Sequence, residues 1–310
     1  MSDITIGIDI SKDKLDGHRL PDGVAGEFAN TPAGHKALIK WIGAGPVERI
    51  VYEATGPYHR AFERALGAAG LPLVKVNPKQ ARRFAEAIGT LAKTDRVDAA
   101  MLARMGVALS PDLTELPSKT LDQLKELHVA RQALVKDRSA AKNRGKTLTL
   151  SVLKDQNRVR LRQIANQLVA IDRELGRLIK EDPLLKARFD ILISIRGVAE
   201  VTAFAMLIDM PELGTLDNKQ AASLAGLAPV TRQSGNWKGQ AHIRGGRANL
   251  RQALYMPALV ASRYNPDLKD IYDRLIAAGK RPKIAVTAIM RKLIVLANAL
   301  LRENRKWVEN

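Results

Sequence analysis

Ile4-Thr5-Ile6-Gly7-Ile8-Asp9-Ile10-Ser11 decides the fold of the first third of the chain. Isoleucines alternate with small or polar residues, the period of two that a β-strand requires. Asp9 therefore lies mid-strand, on the face opposite the isoleucines. Outward from here, Pro21-Asp22-Gly23 reads as a turn, Glu27 to Asn30 as a return segment and Lys36 to Ile42 as a helix. Arg49-Ile50-Val51-Tyr52-Glu53 reads as a second core strand stopped by Thr55-Gly56-Pro57, which puts Glu53 near a strand end. A helix over Tyr58 to Ala69, a strand over Leu71 to Val76 and a helix over Pro78 to Ile88 complete an α/β sandwich.

Lys93-Thr94-Asp95-Arg96-Val97-Asp98 then opens another helix with Thr94 as its N-cap. Asp95 and Asp98 are three apart and share one helical face. Singly, each acid has a plain role: Asp95 complements a helix dipole, Asp98 is a surface residue and Glu53 an edge-strand charge. Asp9 is harder to place so, because a buried charge is costly unless paired or metal-bound. Together, Asp9, Glu53, Asp95 and Asp98 form a set of hard oxygen donors suited to Mg²⁺ or Mn²⁺, and two such ions can clamp the attacking and leaving oxygens of a phosphodiester.

The chain has 310 residues, 50 Lys and Arg against 32 Asp and Glu, and a net charge of +18. That balance puts nucleic acid first among partners. Zero cysteines exclude disulfides, thiolate zinc sites and cysteine nucleophiles. No signal-peptide pattern and no uninterrupted apolar run of about 18 residues are present, so a soluble, cytoplasmic protein with no membrane partner is expected. The charge is uneven. Up to Ser110 the balance is +3, and the remainder carries +15.

Arg138 to Arg162 holds eight basic residues, among them Lys142, Arg144 and Lys146, against Asp155 alone. Upstream and downstream of it run two apolar helical stripes. One comprises Leu121, Leu124, Leu127, Leu134 and Val135; the other, Leu161, Ile164, Leu168, Ile171, Leu175 and Leu178, has coiled-coil spacing. They can pair as a hairpin or across subunits, leaving the basic stretch to grip RNA or DNA backbone.

Asn218 to Pro266 contains no acid, yet carries Arg232, Lys238, Arg244, Arg247 and Arg251 among its cations. Such stretches suit phosphate neutralisation by counterion release. Within it Ser234 stands in a polar, Gly-flanked loop. No nucleophile elbow or histidine partner accompanies it, so the residues alone read it as a turn-capping serine ahead of a nucleophile. Phe189 to Ile208 looks like a helix-hairpin-helix element or a plain helical turn, with Ala199 where a second glycine is usual.

Gly7-Ile8-Asp9-Ile10-Ser11, Tyr52-Glu53-Ala54-Thr55-Gly56, Asn77-Pro78, Lys93 to Ala99, Gly226-Leu227-Ala228-Pro229 and Gln233-Ser234-Gly235 closely resemble, in order, the transposases of the insertion sequence 110 family, the bridge-RNA-guided recombinases. The resemblance implies an α/β plus α chain. Residues 1–110 would form a RuvC-like domain of the ribonuclease H fold, 111–185 a helical coiled-coil linker and 186–310 a mostly helical transposase domain. It implies an Asp-Glu-Asp-Asp tetrad at Asp9, Glu53, Asp95 and Asp98 holding Mg²⁺ or Mn²⁺, and a catalytic serine at Ser234. A structured bridge (guide) RNA would pair with target and donor DNA. Ser234 would form a 5′-phosphoserine link, and dimers would assemble into tetramers in the bacterial cytoplasm, at the nucleoid. Arg232, Lys238, Arg244, Arg247 and Arg251 are the phosphate-contact candidates beside the serine.

Two rival readings remain at this point: a metal-dependent junction nuclease that uses water, and a non-catalytic nucleic-acid-binding protein. An actin-like ATPase is disfavoured, because Ser11-Lys12-Asp13-Lys14 supplies no phosphate loop.

Overall fold

The isoleucine strand, β1 (Ile4–Ile10), is the middle strand of a five-stranded sheet. In chain order it is followed by β2 (Lys14–Leu20), β3 (Ala25–Ala29), helix α1 (Pro32–Ile42), β4 (Val47–Glu53), α2 (His59–Ala68), β5 (Leu73–Val76), α3 (Pro78–Ala87) and α4 (Asp95–Leu109). The computed structural model describes residues 4–308 apart from 44, 55, 57, 90–93, 116–117, 232, 235–236 and 240, together with all but the side chains of Trp237 and Lys238. The sheet order is β3-β2-β1-β4-β5. Short turns join the antiparallel pairs β1/β2 and β2/β3, while helices α1 and α2 carry the crossovers to the parallel strands β4 and β5.

Each face of the sheet is covered. Ile6, Ile8 and Ile10 pack with Leu38, Ile42, Phe62 and Leu66 of α1 and α2. Val51, Val74 and Val76 pack on the other side with Ala81, Met101, Leu102 and Met105 of α3 and α4. Gly7 decides how closely α4 approaches: a Cβ there would lie 2.0 Å from the Ala99 carbonyl oxygen and 2.4 Å from the Ala103 nitrogen. Helix and strand thus touch backbone to backbone, a contact that a glycine alone permits. Side-chain caps start the helices: Thr94 opens α4 as the sequence indicated, Asn77 opens α3, and Thr31 opens α1 at Pro32, four residues before the Lys36 start that the sequence pattern suggested.

The described chain divides into two units, Met1–Pro117 and Ser118–Asn310. The second begins with α5 (Lys119–Gly145) and α6 (Ser151–Glu181), which pack against each other as an intramolecular hairpin. Arg131 Nε donates to Asp172 Oδ1 at 2.6 Å across it. Of the coiled-coil seam, Ile164, Leu168, Leu175 and Leu178 are buried, and the lower half joins a core shared with the helices that follow.

Those are α7 (Pro183–Ser194), α8 (Glu200–Asp209), α9 (Asn218–Leu224), α10 (Ala248–Tyr264), α11 (Pro266–Ala277) and α12 (Pro282–Arg302). Between α9 and α10 run four two-residue strands, β6 (Pro229–Val230), β7 (Gln233–Ser234), β8 (Trp237–Lys238) and β9 (His242–Ile243). Helix α12 is long and apolar enough to span a membrane by length and composition, yet Ile289, Leu293, Ile294, Ala297 and Leu300 are fully buried in the unit's core. Helices α7 and α8 flank the expected turn, but Gly197 is packed against α10: a Cβ there would meet Ala261 and the Pro257 carbonyl at 3.1 Å.

Candidate functional site

Asp9 stands next to last in β1 and, like Gly7, faces α4 rather than the isoleucine core. The parallel register sets Ile8 beside Tyr52, so Glu53, one residue on in β4, shares the Asp9 face. Helix α4 crosses that face at Gly7, and its first turn carries Asp95 and Asp98. Thr94 Oγ1 fixes the turn by accepting from the Val97 N–H at 3.3 Å. Two strand ends and one helix N-terminus are thereby brought to the same end of the sheet.

The electrostatics register this gathering. Burial first, and then the charges of Asp95, Asp98, Asp16 and Glu53, raise the Asp9 carboxyl from 3.8 to about 6. Like charges at short range make each ionisation harder. Sequence reasoning missed Asp16, which is 8% exposed and directly opposite Asp9 in the antiparallel β1/β2 register. It also passed over Lys14, whose Nζ lies 2.9 Å from Asp95 Oδ2 and 3.2 Å from Asp16 Oδ2. Hydrogen bonds to Asp95 and Asp16 hold the Lys14 ammonium above the usual lysine range. The one available signal was register: a hairpin turn at Ser11 to Asp13 pairs residues 9 and 16.

On the opposite face of β4, Tyr52 Oη donates to Glu63 Oε1 at 2.5 Å, and Lys75 Nζ reaches the same oxygen at 2.7 Å. This cluster, buried at Tyr52 and Glu63 and open to water at Lys75, holds β4 and β5 to α2 next to the strand end that carries Glu53.

The donor chemistry of the acids suits a hard divalent cation. Among the described residues, however, no group of three or more acids or histidines is placed so as to hold a metal ion, and the cation at hand is the Lys14 ammonium. Side-chain rotation about fixed backbone positions is what such an ion would require.

In the second unit, Ser234 is not in a loop, as its glycine flank suggested, but in β7, exposed and paired with Trp237 of β8. Below it β6 pairs with β9 through Pro229 and Ile243. The two pairs nest in sequence as a narrow β-ribbon, with the exposed Ser234 in the inner one. Two-residue strands have no periodicity to read, which is why sequence missed them.

The ribbon's base is a backbone clasp. A Cβ on Gly226 would lie 2.3 Å from the Gly245 carbonyl oxygen, and one on Gly246 would lie 2.2 Å from the Gly226 nitrogen. Arg251 Nη1 donates to Gly245 O at 2.7 Å, and Arg247 pairs with Glu212. Both arginines are therefore engaged inside the fold, whereas Arg244 is exposed. Arg232 and the Lys238 side chain lie outside the described residues. Lys142, Arg144 and Lys146 are exposed at the tip of the α5/α6 hairpin.

Residues 6–154 match a family described as Transposase, of the IS110 DEDD type, and residues 189–273 match the Transposase IS116/IS110/IS902 family. The pilin gene-inverting protein of Moraxella bovis is 31% identical over 319 residues, covering 99% of this chain and 98% of that protein. The homologous protein of Moraxella lacunata is equally similar, at 31% over the same span. An insertion element IS110 protein of 43.6 kDa from Streptomyces coelicolor is 31% identical over 160 residues, 51% of this chain and 38% of that protein.

Proposed function

The chain belongs to the IS110 family of transposases, and from that premise we propose that it exchanges DNA strands through a covalent phosphoserine, with Ser234 as nucleophile and Asp9, Glu53, Asp95 and Asp98 as holders of Mg²⁺ or Mn²⁺. The sheet order β3-β2-β1-β4-β5 supports a RuvC-like reading of the acid-bearing domain. Ser234 Oγ attacks a backbone phosphorus. The bond from phosphorus to the 3′ oxygen breaks, and the serine proton passes to the departing 3′ hydroxyl. A 5′-phosphoserine remains, and the 3′ hydroxyl of a partner strand reverses the step. Each exchange conserves one phosphodiester and consumes no water.

A bound divalent ion supplies charge stabilisation at the attacked phosphate. The protein's part is to aim four carboxylates from a rigid sheet end and to present the serine on the ribbon, with Arg244 and its basic neighbours neutralising DNA phosphates. A structured bridge RNA selects target and donor sequences by base pairing, and the tip residues Lys142, Arg144 and Lys146 grip its backbone. Acidic domain and serine domain of different subunits meet over DNA in a dimer that pairs into a tetramer.

The observation that carries the reading is the full-length similarity to a protein named for inverting a gene. Inversion must rejoin every end it cuts. A covalent serine link retains the phosphodiester's free energy for rejoining, and hydrolysis by water does not. Incubating the protein with its element-end DNA and guide RNA and then denaturing it should trap a protein–DNA adduct, lost in Ser234→Ala and kept in Ser262→Ala. Cleavage with free 5′-phosphate ends and no adduct would establish the water-using nuclease instead.

A further inference from the structure

Lys14 is the first residue of β2, and its side chain shares a face with Asp16 two positions on. Its ammonium joins acids from three elements: Asp95 of α4 at 2.9 Å, Asp16 of β2 at 3.2 Å and Glu27 of β3 at 3.6 Å. If Lys14 served only to tie β2 to β3, Glu27 would suffice as its partner. Instead its two closest contacts are acids whose charges act on Asp9.

We propose that Lys14 is the resident cation of the acidic cluster, a tethered counter-ion that a divalent metal ion must displace from Asp95 before the site is loaded. The proposal rests on the metal-holding reading above. Five carboxylates, Asp9, Asp16, Glu53, Asp95 and Asp98, bear on one end of the sheet, and their repulsion opposes folding in the absence of a metal. A lysine meets that need with a compact point charge on a flexible stem. Its side chain is 39% exposed, which leaves it a path out to water. An arginine fork would lock onto a carboxylate in two-point geometry.

Asp95 Oδ2 has two roles that exclude each other. An oxygen bound to a divalent ion keeps little attraction for an ammonium, and the two cations repel. Metal binding and the Lys14–Asp95 contact are therefore linked equilibria, and each weakens the other by the same factor. Asp16, buried beneath the ammonium and opposite Asp9, becomes a fifth acid of the site, held in place for the loaded state.

The test is Mn²⁺ affinity of the full chain, read by electron paramagnetic resonance of free Mn²⁺, with Asp95→Asn as the variant that should abolish the site. Lys14→Met keeps the stem and removes the charge. It should tighten Mn²⁺ about tenfold, the equivalent of losing two partly exposed ion pairs. Lys12→Met, an exposed lysine on the adjoining turn, should change affinity about twofold or less, and Lys14→Arg should not tighten it. Equal affinity in wild type and Lys14→Met overturns the proposal and leaves the metal site standing. Absence of Mn²⁺ binding in all variants overturns the metal reading and this inference with it.

A second measurement needs no variant. Acylation of Lys14 in the wild-type chain, followed by mass spectrometry, should speed up on Mn²⁺ saturation while Lys12 labelling stays constant. Unchanged Lys14 labelling in a Mn²⁺-saturated protein refutes the displacement.

Discussion

Asp9 and Asp16 face each other across the β1/β2 ladder as a directly registered pair of acids. Like charges opposite one another weaken a sheet, and no stability argument recommends this pair. Its presence at the end of an otherwise well-packed strand is what the metal-holding reading proposed above accounts for.

Replacing Asp9 by Asn should therefore stabilise the metal-free protein while ending strand exchange. The rise of the Asp9 carboxyl from 3.8 to about 6 corresponds to roughly 3 kcal/mol at neutral pH, which partial exposure screens to about 1–2 kcal/mol. Urea unfolding at pH 7.5 with a chelator present measures it. An unchanged or lower midpoint for Asp9→Asn would show that the acids do not strain the fold.

The same carboxyl sets a pH dependence. Because its folded-state value is raised, the native protein binds more protons than the unfolded chain between about pH 4 and 6. Its unfavourable contribution is absent below the lower value and complete above the upper one. Metal-free stability relative to Asp9→Asn should thus fall as pH rises through this window. Mn²⁺ competes with that proton, so its affinity should drop up to about tenfold per pH unit below 6; titration calorimetry at pH 5, 6 and 7 reads both the affinity and the protons released.

Gly7→Ala should cost more than Gly106→Ala. At Gly7 the new Cβ meets backbone atoms at 2.0 and 2.4 Å, whereas at Gly106 it meets the side-chain methyls of Val51 and Thr5 at 2.6 and 2.7 Å. Side chains give way at about 1–3 kcal/mol, but a helix backbone must move bodily. Gly7→Ala should lower the thermal midpoint further and also weaken Mn²⁺ binding, since moving α4 separates Asp95 and Asp98 from Asp9. Equal thermal midpoints for the two variants would mean that α4 does not rest on β1 at that residue.

The arginines around the ribbon should divide by role. Arg247→Ala leaves Glu212 half-buried and unpaired, costing about 1–3 kcal/mol in stability. Arg244→Ala should leave stability unchanged but lower the salt slope of DNA binding by about one. Thermal melts and binding isotherms from 50 to 200 mM salt separate the two, and a stability loss at Arg244 would contradict its exposed position.

What the sequence made legible follows from burial. Strands β1 and β4 are core strands, and their apolar pattern marks them; helix α4 announces itself through Thr94, whereas the Thr31 cap that starts α1 went unread and its first turn with it. Strand β2 is different: Lys14-Leu15-Asp16-Gly17-His18-Arg19-Leu20 has little apolar character and exists because it is paired on both sides. Missing it hid the register, and with it Asp16 and Lys14. The ribbon under Ser234 was hidden for another reason, since its strands are too short for any pattern and rest on a clasp between glycines on either side of it, Gly226 before and Gly245 and Gly246 after. The candidate acids, by contrast, could be named because Asp9 is a charge inside an isoleucine strand, Glu53 ends a readable strand, and Asp95 and Asp98 open a capped helix.

Gly7 has one more consequence. Where α4 meets β1, the spacing between them is dictated by main-chain atoms and not by the bulk of interchangeable apolar groups. The hydrophobic layers around it are thus free to drift across relatives, or to be redesigned by an engineer, without detuning the distance between the two halves of the acid set. A single added methyl group at this one position would do what wholesale repacking elsewhere would not.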